Sequence, residues 1–297
     1  MDKAQAGIFI EGAPHNRFLE FSLSPGVEAM ALKNALAETL ATDLENSRKA
    51  PHVVWGFGQE LATKLFSGGT PDDLRSFPGY GSGKHQAPET QRDLFMWIHG
   101  AYEDDVFDTA RAHFKAVAPV CQLDLDITGF KYRKDHDLIG FEDGTANPKT
   151  DDARSAAALN ATGGSILLTQ KWLHKLIDFE KLPVAEQEQV VGRTKFENLE
   201  LEGDDMPPTS HVSRTDVNVK GIAQKVYRRS APFGDMHEHG LYFVSFSTEL
   251  ARHDIQLKRM YGETDDGLHD RLTEFSTAVT GSYWYVPPTT QLRTLLD

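Results

Sequence analysis

Three short segments of this 297-residue chain carry side chains whose types and setting could do chemistry. Gly140-Phe141-Glu142-Asp143-Gly144-Thr145-Ala146-Asn147-Pro148 places an acid in a turn bracketed by glycines. A carboxylate fixed there can take up and return a proton, although Asp-Gly also makes plain turns. Thr209-Ser210-His211 follows the pair Pro207-Pro208, and its imidazole can ligate a metal, relay a proton or simply pack. Val226-Tyr227-Arg228-Arg229-Ser230 puts two guanidinium groups just after an apolar stretch. They can stabilise negative charge as it develops, or lie solvated at a strand end.

Other patterns fail on spacing. Gly79-Tyr80-Gly81-Ser82-Gly83-Lys84 is no phosphate loop, because Pro78 stands at the first glycine and His85 at the magnesium-holding hydroxyl. Lys84 likewise stands where a dinucleotide fingerprint needs its third glycine, so the segment reads as a surface turn. His237-Glu238-His239 has no third metal ligand at a recognisable spacing and reads as a polar turn before the strand at Leu241. Cys121 is the single cysteine, which excludes intrachain disulfides, cysteine-rich zinc sites, cysteine-ligated iron–sulfur clusters and thioether-linked haem. It lies in an apolar run, where a thiol behaves as a small hydrophobe.

With 44 acidic and 31 basic side chains, the net charge of −13 repels a phosphate backbone, so nucleic acid is not an expected partner. No run approaches the ~18 apolar residues of a membrane span, and the N-terminus lacks a signal-peptide core. A cytoplasmic protein without a membrane partner is expected.

Hydrophobic periodicity supplies the elements that must position the three segments. Phe18 to Leu23 alternates, with Leu19, Phe21 and Leu23 on one face. A helix beginning at Ser24-Pro25 carries Leu32, Leu36, Leu40 and Leu44 at four-residue spacing. His52 to Phe57 and Asp93 to His99 read as strands, Val106, Phe107, Ala110, Phe114 and Val117 as a second amphipathic helix, and Val120 to Phe130 as another strand. The order βαββαβ is the ferredoxin-like arrangement, an α+β class with helices on one side of an antiparallel sheet. Strands at Ser165–Thr169, Leu241–Phe246 and Ser282–Val286, with helices at Val184–Val191 and Leu250–Tyr261, make a similar order in the second half. The boundary is expected near Arg133–Asp135, giving domains 1–135 and 136–297. The long passages Gly68–Pro88 and Gly192–Pro208 suit functional or mobile loops.

Taken together and in this order, the three segments resemble the dye-decolourising peroxidases. Phe77-Pro78-Gly79-Tyr80-Gly81, Gly192-Arg193-Thr194-Lys195 and Phe275-Ser276-Thr277-Ala278-Val279-Thr280-Gly281 add to the likeness, which covers nearly the whole chain. Its length is similar to that of the compact bacterial members, the B or P type. The resemblance implies two ferredoxin-like domains with a haem pocket mainly in the C-terminal one. It implies a non-covalent haem b whose iron is ligated by His211, with Asp270 behind the imidazole and Glu274 as the competing acid. Arg193 would contact a haem propionate, and Gly144 and Thr145 would lie against the cofactor with the rest of their turn.

The same likeness makes Asp143 the general base and then acid of peroxide cleavage, and Arg228 the fixed charge beside the departing oxygen. Ser230 stands where many compact relatives have asparagine, and its hydroxyl could bind a distal water at shorter reach. Arg229 is expected to face the other way along the strand. Hydrogen peroxide and small organic reductants, such as dyes and phenols, are the implied substrates, oxidised in one-electron steps after a ferryl intermediate. A carboxylate base stays ionised in acid where a histidine does not, so an acidic optimum is expected. A homo-oligomer, a dimer or larger, is implied. The C-terminal Thr290–Asp297 is short for a docking tail. A haem storage, delivery or iron-release protein is the alternative, and it would need His211 but no distal acid and base. Chlorite-splitting chemistry is a third reading, which the turn around Asp143 disfavours.

Overall fold

The computed structural model of the chain describes residues 3–66 and 68–297. Its first half holds strands β1 (His15–Leu23), β2 (His52–Phe57), β3 (Leu94–Gly100) and β4 (Cys121–Phe130), with helices α1 (Ala29–Glu45) and α2 (Glu103–Val117). The second half holds β5 (Ser165–His174), β6 (Tyr227–Arg228), β7 (Ala231–Gly234), β8 (His239–Ser247), β9 (Ser276–Ala278) and β10 (Ser282–Val286). Its helices are α3 (Asp151–Ala158), α4 (Val184–Val191), α5 (His211–Thr215) and α6 (Leu250–Met260).

These ten strands form one antiparallel sheet in the order β6-β8-β7-β4-β1-β3-β2-β10-β5-β9, and β8 also pairs with β5. That last ladder, from Gly240↔Leu173 to Ser247↔Ile166, closes eight of the strands into a ring. The expectation of two antiparallel sheets is therefore modified: β4-β1-β3-β2 and β10-β5-β8-β7 meet edge to edge. Each joint is thin, Phe233↔Gly129 at one side and Tyr285↔Phe57 at the other. Closure removes the open edges that either half would otherwise expose.

Both faces of the strands are consequently covered. Inside the ring, Phe18, Val54, Phe95, Trp97, Ile127, Leu167, Tyr242, Phe246 and Trp284 pack together. Outside, Leu19, Phe21, Met96, Ile98, Leu168 and Tyr283 pack with the helices, including all four leucines of α1. Each leucine so buried contributes roughly 1.5–3 kcal/mol of transfer free energy. Two details differ from the periodicity. The helix begins at Ala29 rather than Ser24-Pro25, because Gly26 adopts φ +80° and turns the chain first. In α2 the buried stripe is Val106, Ala110, His113 and Val117, while Phe107 and Phe114 stay exposed.

The three chemically interesting segments gather on the outer face of β5 and β8. Leu168, Gln170 and Trp172 of β5 and Leu241 and Phe243 of β8 point to that side. The intervening Thr169 and Tyr242 point into the barrel, as the two-residue period requires.

Candidate active site

A cavity of about 380 Å³ opens against this wall, and every residue lining it lies between 137 and 276. Its apolar lining includes Ile139, Phe141, Leu168, Trp172, Val191 and Phe243. His211, Asp143, Arg228, Thr145 and Arg193 all line it too, so five of the expected residues meet there although they lie far apart in sequence.

His211 is the first residue of α5. Ser210 caps that helix by accepting from the Ser213 amide at 3.3 Å, and Thr215 donates its hydroxyl to the His211 carbonyl. So short a helix needs anchoring from outside. Arg214, 1% exposed, donates to Asp266 and to the Arg259 carbonyl. The Arg214 hydrogen bond, with the Leu268 amide's, holds the Asp266 carboxyl below the usual carboxylate range. Gly192, at φ +91°, lets α5 approach, since a Cβ there would sit 2.9 Å from both Ser210 Oγ and Val212 Cβ.

The His211 ring is then oriented by one acid. Its Nδ1 lies 2.6 Å from Oδ2 of Asp270, which is wholly buried. Asp270 Oδ1 accepts from the Leu272 amide, so both carboxylate oxygens are fixed. The arrangement makes Nδ1 the donor and leaves Nε2, with its lone pair, free of any protein partner among the described residues. Glu274 is not the partner: it faces His269 at 3.4 Å and Arg271 at 3.9 Å.

Asp143 sits in a turn that bonds to itself. Gly140 donates to the Asp137 carbonyl, Asp137 to the Phe141 carbonyl, and Asn147 to the Gly144 carbonyl. Gly144 adopts φ +74°, a conformation that costs other residues about 1–2 kcal/mol, and its amide donates to Asp143 Oδ1 at 2.6 Å. Oδ2 of Asp143 has no partner among the described residues. Arg228 Nη2 lies 3.8 Å from Oδ1, close enough for charge attraction and too far for a hydrogen bond. The backbone of Arg228 is clamped by Asn147, whose amide accepts from the Arg228 N–H and donates to its carbonyl, both at 2.9 Å.

The remaining expected residues stand differently. Arg193 commits three N–H groups to Asn198 and Glu200, leaving two of its five for a ligand. Thr145 Oγ1 points to the Glu142 carbonyl and Asn198. Ser230 and Gly144 line a neighbouring cavity, which Asp143 and Arg228 also line, rather than the one holding His211. Ser230 Oγ accepts from the Val244 amide at 3.2 Å, standing in for a ladder bond where β6 gives way to β7. Arg229 does face away, donating to the carbonyls of Ile8 and Ile10. Cys121 is buried, and burial pushes its thiol up to about 12.

Three residues of the site were not singled out by the sequence. Asn147 closes the glycine-bracketed turn of Asp143, and an amide side chain just before Pro148 is the signal for its clamping role. Gln170 lines the cavity with Nε2 buried and without a hydrogen-bond partner among the described residues. His174 bonds Asp137 at 3.0 Å and Ser276 at 2.7 Å on the same wall. No pattern in a mostly apolar strand marks Gln170 or His174.

These features suit a flat, largely apolar cofactor with anionic edges. Apolar walls, one free imidazole nitrogen, an orphaned amide donor and spare guanidinium N–H groups are what haem requires of a protein. The comparisons agree. The family model Dyp-type peroxidase, N-terminal, matches residues 5–131, and Dyp-type peroxidase, C-terminal, matches 134–291. The dye-decolorizing peroxidase of Rhodococcus erythropolis is 33% identical over 282 residues, 91% of this chain and 82% of the relative. A dye-decolorizing protein from Vibrio cholerae superposes with TM-score 0.89 at 31% identity, covering 98% and 99% of the two chains. A DypB variant from Rhodococcus jostii RHA1 in complex with heme gives TM-score 0.89 at 27% identity, covering 99% and 100%.

Proposed function

The chain belongs to the dye-decolourising peroxidase family and is a haem peroxidase that uses hydrogen peroxide, and we propose that His211, Asp143 and Arg228 divide its chemistry as follows. When bound, haem supplies the iron that accepts peroxide and holds the oxidising equivalents drawn from it. His211 would hold that iron through Nε2. Asp270 takes the hydrogen bond from Nδ1, which fixes the tautomer and makes the ligand more electron-donating. Arg193, through its spare N–H groups, and the Gln170 amide can meet polar edges of the cofactor.

Asp143 moves the proton. Oδ2, unoccupied by the turn, takes it from one peroxide oxygen and returns it to the other, which leaves as water. Arg228, held by Asn147, offers fixed positive charge beside that departing oxygen. Organic donors such as dyes and phenols then return electrons one at a time. Ser230 ties the Arg228 strand to β8 by accepting from the Val244 amide, and its hydroxyl proton can still meet a water beside Asp143 and Arg228.

The observation that carries this reading is the 2.6 Å bond by which a fully buried Asp270 holds His211, itself on the wall of the cavity that Asp143 and Arg228 also line. Haem-loaded protein should show a Soret band that His211→Ala abolishes or shifts strongly, and should bleach a dye only when peroxide is present. A Soret band unchanged in His211→Ala would remove the proximal assignment.

We read the two four-strand halves as ferredoxin-like units divided at 135/136, because each has its four strands in the order fourth, first, third, second. A reducing compartment such as the cytoplasm suits a chain whose one cysteine is buried. Among the described residues no helix is long and apolar enough to cross a membrane. Exposed Phe196, Leu199 and Ile222 offer apolar surface for self-association, testable by light scattering.

A further inference from the structure

Glu20 is enclosed inside the barrel and has no part in the chemistry at Asp143. It is 1% exposed. Its Oε1 accepts from the Tyr242 hydroxyl at 2.5 Å and from the Thr169 hydroxyl at 3.1 Å. Thr169 in turn accepts from Trp284 Nε1 at 2.8 Å, which directs the threonine proton toward Glu20. Among the described residues Glu20 forms no ion pair; Arg92 and Asp124 act on it only from farther off and with opposite sign.

A buried anion without a cation is costly. Anything that removes its charge is favoured, and the nearest proton is the one on Tyr242. Tyr242 cannot supply it by simple ionisation, which only moves the charge onto a phenol that burial pushes well above its ordinary value. It can supply the proton together with an electron. What remains is a neutral tyrosyl radical beside a neutral carboxylic acid, and the barrel has lost its buried charge.

The electron has a short way to go. Tyr242 lies between Leu241 and Phe243, both on the wall of the haem cavity. Strand alternation turns its ring to the barrel side, where it stacks on Phe18 with centroids 4.4 Å apart. A single strand thus separates the Tyr242–Glu20 pair from the cofactor seat.

Resting on the haem-peroxidase reading, we propose that Tyr242 and Glu20 form an internal redox site in which Tyr242 gives an electron to the haem site and its hydroxyl proton to Glu20. The O–H bond of Tyr242 breaks and one forms on the Glu20 carboxylate. The electron fills one of the two vacancies left when peroxide takes two electrons. An organic donor later returns one electron to Tyr242, and Glu20 returns the proton. The pair stores one oxidising equivalent when no donor is at hand.

The test mixes haem-loaded protein with one equivalent of hydrogen peroxide, without donor, on the alkaline side of 7, where Glu20 is ionised. Samples are frozen for EPR, with a parallel preparation carrying ring-deuterated tyrosine. The expected result is a tyrosine radical narrowed by deuteration, absent in Tyr242→Phe and reduced about tenfold in Glu20→Gln, which keeps the acceptor but binds no proton. A full-strength signal in either variant overturns the proposal. The wild-type protein gives an independent check: ENDOR in heavy water must find an exchangeable hydrogen bonded to the phenoxyl oxygen, and its absence is equally fatal. A Soret band that never responds to peroxide defeats the peroxidase reading. A normal response without a tyrosine radical defeats only this one.

Discussion

At the scale of single residues, the site rests on two carboxylates with different jobs. Asp270 is wholly buried and spends both oxygens on fixed protein donors, so it orients; Asp143 keeps Oδ2 open, so it can trade a proton. Asp143→Asn preserves shape and the acceptor for the Gly144 amide but cannot carry that proton. We expect it to retain the Soret band while the spectral response to peroxide slows roughly 10²–10⁴-fold. Stopped-flow mixing measures this, and a slowing below about tenfold would assign the proton to another group. The resemblance favours Asp270 and leaves Glu274 as the competing acid, since both follow His269 closely. Geometry decides it, because Glu274 is engaged at the surface by His269 and Arg271.

At the scale of elements, the residues proposed to act on peroxide and to hold the haem depend on pieces too short to be stable alone. β6 is only Tyr227–Arg228, and α5 only His211–Thr215. Their positions come from partners: Asn147 clamps the Arg228 backbone, and Arg214 ties α5 to Asp266 and Arg259. Asn147→Ala removes both bonds of the clamp without touching a charged group. Its response to peroxide should fall about ten- to a hundredfold through misplacement of Arg228, with haem affinity unchanged in a Soret titration. Long periodic elements were readable: the strands His52–Phe57 and Ser282–Val286 and the helix Val184–Val191 match the observed bounds. The two-residue β6 carries no period at all, and α3 was not anticipated.

At the scale of the molecule, closing the sheet into a ring buries what a half-covered sheet would expose, and Glu20 is the clearest case. Its carboxyl is raised from 4.5 to about 7, burial being the largest cause. Below 4.5 folded and unfolded chains both hold the proton; between 4.5 and about 7 only the folded chain does, so stability falls as pH rises through that window. Above it the cost is constant. Glu20→Gln does not titrate, so its stability relative to wild type should gain about 3 kcal/mol between those limits. Urea denaturation at several pH values reads this directly, and a gap that does not widen would place Glu20 in a wetter site.

Residue order and spacing alone determined much of the strand–helix succession, the exclusion of intrachain disulfides and cysteine-rich zinc sites, and the resemblance that pointed to His211, Asp143, Arg228 and Asp270. Those signals are local: a period, a turn bracketed by glycines, a missing residue type. What only tertiary structure decided is non-local. Residues 137 to 276 converge on one cavity because β5 and β8 present alternate side chains to it. Ser230 lines a neighbouring cavity that Asp143 and Arg228 share, its hydroxyl accepting from the Val244 amide where β6 gives way to β7. Glu20 is buried because the far face of its strand meets another sheet rather than water. Periodicity tells which residues share a face; only closure of the barrel tells what that face touches.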